Sequence, residues 1–343
     1  MISKELLGWY LLNKRILPWR ETKNPYKIWI SEIMLQQTQV ATVIPYYNRW
    51  IKRFPNALVL SKTPYDKVLK FWEGLGYYSR CRNIYKTSKI IKNSFPNSYD
   101  ELIKLPGIGD YTAKTILAIA FNKNEVGIDT NLERISYRLL GLKKRSNFNQ
   151  NRARKFLENM QDRDNPGDFN QALMDLGSSV CQSNSVNCSA CPINNHCRAF
   201  LSSDPINYPD KKKSKTIPTL YVSTCIVKKK KKLLILQRPI EKMLGGLWEF
   251  PGGKIEKNES KEKAVIREIM EETGLSINPY YLGQVSHQYS HFKVCISLFL
   301  ANIQDDVLLQ TKQKYQWVTR KGINNFALPK ANYKMLEILD KLE

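Results

Sequence analysis

The sequence predicts an all-α domain followed by an α+β domain, and three observations carry that prediction. Its 343 residues exceed one ordinary core at roughly 150 residues per domain. Apolar residues recur at three and four spacing through the N-terminal part, as in Ile30, Ile33, Met34, Ala41 and Ile44, or Ile116, Leu117, Ile119 and Ala120; this is the period of a helix face. Beyond residue 220 the pattern changes to short strand-like runs, Tyr221–Val227 and Leu233–Gln237. Between the two, residues 202–219 carry Ser, Asp, Pro and Lys with almost nothing to bury. The expected organisation is a helical domain over 1–201, a linker over 202–219 and a mixed domain over 220–343.

Within the first domain, Phe54-Pro55, Gly74-Leu-Gly76, Phe95-Pro96 and Leu105-Pro-Gly-Ile-Gly109 mark helix stops and starts, giving about ten short helices joined by tight turns. In the second, Lys228–Lys232 reads as a solvated hairpin tip, with a phosphate contact as the alternative. Residues 260–273 read as a helix, 293–300 as a strand and 330–342 as a terminal helix. No repeat of fixed period is visible.

Composition narrows the function. A hydrophobic content of 42% with 16 Gly and 16 Pro excludes collagen-like, wholly disordered and disulfide-miniprotein classes. Lys and Arg number 54 against 31 Asp and Glu, a net charge of +23. Such an excess calls for a polyanion, with nucleic acid first and an anionic membrane surface second; the bland alternative is lysine enrichment by an AT-rich genome. No run approaches the roughly 18 to 20 apolar residues that span a bilayer, and Met1–Gly8 lacks a signal peptide's apolar stretch. A cytoplasmic protein with no membrane partner, acting as a monomer, is the expectation. Of the seven cysteines, Cys181, Cys188, Cys191 and Cys197 crowd together while Cys81, Cys225 and Cys295 stand apart, which reads as a metal or cluster site.

Gly107 and Gly109 stand two apart before a helix, so a tight turn there can offer backbone N–H groups to a DNA phosphate. This is a helix-hairpin-helix signal, although an ordinary interhelical turn has the same look. The cysteines have six, two and five residues between them. Four thiolates so spaced can also hold an iron–sulfur cluster, and the spacing alone leaves zinc open.

The hairpin and the cysteine spacing together resemble the endonuclease III superfamily of DNA glycosylases. Within it, the chain is similar to the MutY-type adenine DNA glycosylases over nearly its whole length, through Leu17–Arg20, Trp29–Tyr46, Gly74–Arg80 and Phe169–Gly177. The resemblance implies a [4Fe–4S] cluster on the four cysteines. It also implies duplex DNA with adenine opposite 8-oxoguanine or guanine as the partner, and hydrolysis of the adenine N-glycosidic bond. That reaction makes a poor anionic leaving group and an oxocarbenium-like sugar, so it asks for an acid above the base and an anion beneath the sugar. By resemblance these are Glu32 and Asp129. Glu32 sits between Trp29-Ile30 and Ile33-Met34, a setting that raises a carboxyl pKa; Asp129 also reads as a helix N-cap. The family usually has Gly after this aspartate, where Thr130 stands here.

Tyr111 occupies the place at which lyase relatives carry an attacking lysine. A monofunctional glycosylase is therefore expected, with Tyr111 either hydrogen-bonded to the two carboxylates or simply packed. An enzyme of this kind extrudes its base from the stack. The resemblance implies Gln37 and Tyr77 as wedges, and Trp19, Arg20 and Gln171 as the adenine pocket.

In the second domain, Gly253, Glu259 and Arg267-Glu-Ile-Met-Glu-Glu-Thr-Gly-Leu275 fit the Nudix pattern. Glu268, Glu271 and Glu272 lie three and four apart on a helix, so their carboxylates are expected to converge where Mg²⁺ binds pyrophosphate. The resemblance implies that this MutT-like domain helps to read 8-oxoguanine, with Ser290 and His291 of Tyr289-Ser-His-Phe292 as recognition residues. Hydrolysis of oxidised nucleoside triphosphates competes with lesion reading as its function, and the two do not exclude each other.

Overall fold

The computed structural model describes residues 2–92, 94–211, 216–289, 292–304 and 307–342. The chain divides into two compact units, residues 1–62 with 83–213, and residues 63–82 with 214–343. Among the described residues no helix is long and apolar enough to cross a membrane.

The first unit is helical. Its central rod is the Pro25–Leu35 helix, which starts where Asn24 accepts a hydrogen bond from the Lys27 N–H and Pro25 takes a position that needs no N–H partner. Every residue from Tyr26 to Met34 except Lys27 is buried, so any polar side chain on this rod is desolvated by position alone. The Asp110–Phe121 helix follows the Leu105–Gly109 turn with Gly109 as its N-cap. Gly107 has φ +80, and a Cβ there would lie 2.7 Å from the Asn83 Cβ, so the turn needs glycine twice over. The Pro166–Asp175 helix continues into a π-turn over Leu176–Val180 that leads directly to Cys181. Leu132, Ile135, Phe169, Leu173 and Leu176 form the core beneath these helices.

The second unit is built on one mixed sheet. Strands β1 (Thr219–Lys229), β2 (Lys232–Gln237), β3 (Trp248–Glu249), β4 (Gly252–Lys254), β5 (Tyr280–Gln288), β6 (Lys293–Asn302) and β7 (Tyr315–Thr319) pair in the order β3-β2-β1-β6-β5, with β4 on β1 and β7 on β2. β1 and β6 run parallel and the other pairs are antiparallel. Alternation along β1 sends Ile226 to one face and Cys225 and Val227 to the other. The Lys261–Thr273 helix covers the second face through Val265 and Ile269, and the Lys330–Asp340 helix covers the first through Met335, Leu336 and Leu339. β3 and β4 are too short to show a period in the sequence.

Residues 63–82, placed by the sequence in the helical domain, pack with the second unit. The cause is local. Glu73 accepts hydrogen bonds from the Leu328 N–H at 2.7 Å and the Tyr333 hydroxyl at 2.5 Å, while Lys70 pairs with Glu73 and donates to the Phe326 carbonyl at 2.9 Å.

Candidate active site

Glu32 sits near the end of the buried Pro25–Leu35 rod with 5% exposure. Burial raises its pKa to about 7; the Tyr111 hydrogen bond lowers it, the charge of Asp129 raises it and that of Arg20 lowers it. The Tyr111 hydroxyl donates to Glu32 Oε2 at 2.9 Å. Asp129 caps the Thr130–Leu140 helix: its Oδ1 accepts from the Asn131 and Leu132 N–H groups, both at 2.8 Å, and its Oδ2 from the Asn131 amide at 2.9 Å. The cap expected of Asp129 is formed, and Thr130 is accommodated as the first helical residue. The structure corrects one expectation about Tyr111. Its hydroxyl bonds to Glu32 and not to Asp129, because the donors that reach Asp129 among the described residues all belong to its own helix start. Asp129 still lies close enough for its charge to raise both Glu32 and Tyr111.

Two residues outside the expected site bring these groups together. A Cβ on Gly127 would fall 2.1 Å from the Thr115 Oγ1 and 2.9 Å from the Tyr111 carbonyl oxygen, so only glycine lets the segment before Asp129 lie against the Tyr111 helix. Asn170, fully buried, accepts from the Gly127 N–H at 2.9 Å and donates to the Glu125 and Pro166 carbonyls.

Trp19, Arg20, Glu32 and Gln171 line one narrow cavity with Leu17 and Met174, so the residues that the sequence suggested for a base pocket lie together with Glu32. Arg20 is not free within it. Its guanidinium forms a two-pronged pair with Asp175 at 2.7 and 2.9 Å, and Arg15 joins the same carboxylate at 2.6 Å. Burial works against an ionised Asp175, but the bonds and charges of Arg20 and Arg15 outweigh it and hold its carboxyl below the usual range. Asp175 thus fixes where the Arg20 side chain points. Gln37 and Tyr77 carry φ of 55° and 48°, the left-handed backbone found at tight corners. Gln37 is exposed, at the end of the Glu32 rod; Tyr77 falls in the segment that packs with the second unit.

Cys181, Cys188, Cys191 and Cys197 form no disulfide and line one small cavity together with Arg138. Among the described residues no three His, Cys, Asp or Glu side chains close on a single metal ion. A polar chain runs from the carboxylate to this loop: Asn131 donates to Asp129, Arg134 donates to the Asn131 Oδ1 at 2.8 Å, and the same guanidinium donates to the Cys181 carbonyl at 3.0 Å.

In the second unit a cavity of about 600 Å³ is lined by Glu268, Glu272, Glu249, Arg238, Asn332 and the aromatic rings of Tyr289 and Phe292. The expected convergence of three carboxylates is not what the helix delivers. Glu271 lies outside the cavity lining with 59% of its side chain exposed, meeting Arg267 at 3.4 Å on the solvent side. Glu268 pairs with Arg267 at 2.9 Å, and Arg267 also forms a two-pronged pair with Glu259. Glu272 accepts from the Gly252 N–H at 2.9 Å. A Cβ on Gly253 would lie 2.3 Å from the Glu268 carboxylate, so a larger residue there would displace that carboxylate. Tyr289 and Phe292 stack at 4.7 Å; Ser290 and His291 lie outside the described residues. Sequence reading missed Glu249, half-buried and raised to about 7 by desolvation against the pull of Arg238.

The family described as "HhH-GPD superfamily base excision DNA repair protein" matches residues 30–161, and the "NUDIX domain" family matches residues 223–338. The adenine DNA glycosylase of Buchnera aphidicola subsp. Baizongia pistaciae is 36% identical over 98% of this chain and 96% of its own length. The chain belongs to the adenine DNA glycosylase family. The mouse adenine DNA glycosylase is 31% identical over 98% of this chain and 77% of its own. At the level of fold, a thermostable thymine-DNA glycosylase aligns with TM-score 0.54 and 24% identity over 58% of this chain and 95% of that one. A trapped endonuclease III–DNA covalent intermediate aligns with TM-score 0.51 and 23% identity over 59% and 94%. As an adenine DNA glycosylase family member the chain is a base-excision repair enzyme, with a helical glycosylase region and a C-terminal Nudix domain.

Proposed function

We propose that this enzyme extrudes adenine from mispairs with 8-oxoguanine or guanine and hydrolyses its glycosidic bond without a lyase step. The observation that carries the reading is a buried Glu32 whose pKa lies at about 7, within reach of the charge of Asp129. At neutral pH a large fraction of such a group holds its proton, the state a general acid needs. Tyr111 occupies Oε2, leaving Oε1 to present the proton to the purine ring. Asp129, with three N–H donors on its carboxylate, serves as the anion that meets the developing sugar cation. Trp19 and Gln171 line the base pocket, Arg20 is aimed by Asp175, and Gln37 and Tyr77 fill the vacated stack. Gly107 and Gly109 offer backbone to the DNA phosphates. With a phenol at 111 in place of an amine, no Schiff base forms.

The four cysteines hold a [4Fe–4S] cluster on this reading. Their clustering, their freedom from disulfides and the guanidinium beside them suit a group that carries net negative charge. When bound, the cluster supplies a structural staple to the loop that follows the Pro166–Asp175 helix. The Nudix domain reads the oxidised base on the opposite strand, with Ser290 and His291 in that role. The enzyme works as a cytoplasmic monomer.

Adenine release in single-turnover assays on duplexes with adenine opposite 8-oxoguanine, guanine and thymine tests the main reading. Release from the first two, lost in Asp129→Asn, is expected; release from the adenine–thymine duplex at the same rate overturns it.

A second reading is favoured by the roomy cavity in the Nudix domain, where Glu268 and Glu272 would hold Mg²⁺ against a nucleotide pyrophosphate. Mg²⁺-dependent pyrophosphate release from nucleoside triphosphates, abolished by Glu272→Gln, supports it. No release by the wild type removes it.

A further inference from the structure

Arg138 is 1% exposed and among the largest fully buried side chains of the protein. It projects from the Thr130–Leu140 helix, and its donors are spent on four groups. Nε donates to the Tyr208 carbonyl at 3.0 Å, Nη1 to the Gln182 carbonyl at 2.7 Å and to Cys181 Sγ at 3.1 Å, and Nη2 reaches the Ser183 carbonyl at 3.4 Å. Its own carbonyl accepts from the Cys197 thiol at 3.4 Å. Among the described residues no carboxylate pairs with Arg138, in contrast to Arg15, Arg20, Arg145 and Arg154. Peptide oxygens satisfy donors but do not balance a charge. A buried guanidinium without an anion is strongly disfavoured, and the neighbour able to supply one is the sulfur group that Cys181 and its three companions form.

Arg134, one turn earlier on the same helix, is aimed differently. Its guanidinium spans the Asn131 side chain and the Gly177 and Cys181 carbonyls. The two arginines therefore play separate parts, Arg134 bracing backbone while Arg138 addresses the ligand sulfur itself.

We propose that Arg138 is the built-in counter-cation of the four-cysteine site, a positioning residue whose N–H···S bond and charge set the reduction potential of the cluster and hold it in the protein. This role rests on the [4Fe–4S] reading above. A fixed cation stabilises whichever state of a cluster carries the extra electron, and N–H donors to ligand sulfur act in the same direction. Removing both shifts the cluster couple to more negative potential and loosens the anionic group from its cage. Arg138→Lys keeps the charge on a flexible stem but cannot hold four acceptors at once, so it falls between.

The test uses the full-length protein as purified, with iron and sulfide analysis, visible absorbance and voltammetry of wild type, Arg138→Lys and Arg138→Met. The expected result is a potential that becomes more negative in the order wild type, Lys, Met, with chelator-driven bleaching several-fold faster in Met. Where Arg138→Met does not accumulate in folded form, the Lys variant alone carries the comparison. A cluster-loaded variant with the wild-type potential and bleaching rate overturns the role of Arg138 and leaves the cluster reading standing. Wild-type protein whose site holds zinc overturns both.

Discussion

Glu32 shows how a single position acquires its chemistry. A carboxyl in water would be ionised at neutral pH, but placement on a helix buried along almost its whole length removes the solvation that ionisation needs. The folded-state pKa is about 7 against a usual value of 4.5, so between these values the native state binds more protons than the unfolded one, and stability falls as pH rises through that window. Glu32→Gln removes the titration while keeping the shape. The variant should be more stable than the wild type above pH ~7, by at most on the order of 3 kcal/mol, and denaturant unfolding at pH ~5 and ~8 checks it: a difference that grows at high pH is expected, and one that is equal at both contradicts the assignment. The apolar neighbours that announce this environment are adjacent in sequence, which is why Glu32 could be read there. Asp175 could not. Its partners Arg15 and Arg20 are 160 and 155 positions away, and no local pattern marks an aspartate that will orient them.

At the scale of elements, the site depends on how closely the segment ending at Asp129 approaches the Asp110–Phe121 helix. Gly127 has no unusual φ and no turn signature, so nothing in the sequence distinguishes it from a loop glycine; its requirement comes from the Thr115 hydroxyl that would lie 2.1 Å from a Cβ. Gly127→Ala is predicted to cost ~1–3 kcal/mol by overpacking and to slow adenine release by moving Asp129 relative to Glu32. Thermal unfolding with single-turnover kinetics checks it, and an alanine variant with wild-type values of both would contradict the close approach. The Nudix helix is the opposite case. Glu268 and Glu272, four apart in the pattern, line the cavity, but the spacing could not foresee that Glu271 would stay in solvent while Arg267 engaged Glu259 and Glu268.

At the scale of the molecule, the change from helical to alternating periodicity near residue 220 announced two regions, and the family matches at 30–161 and 223–338 follow the same division. What composition could not reveal is that residues 63–82 join the second unit, because that depends on Glu73 meeting Leu328 and Tyr333. Glu73→Ala removes the acceptor of the Leu328 N–H and the Tyr333 hydroxyl, and a loss of ~1–3 kcal/mol follows from the unsatisfied donors; calorimetry should show a lowered unfolding transition, and an unchanged one would mean the segment is held by apolar packing alone. The acid role proposed for Glu32 is tested most directly by one measurement: the single-turnover rate of adenine release from an adenine–8-oxoguanine duplex, followed against pH for wild type and Glu32→Gln. The wild-type rate is predicted to decline above pH about 7 as the buried acid loses its proton, and the Gln variant to be slower by at least ~10² with no such decline. A Gln variant as fast as the wild type, or a wild-type rate that climbs through that range, would contradict it.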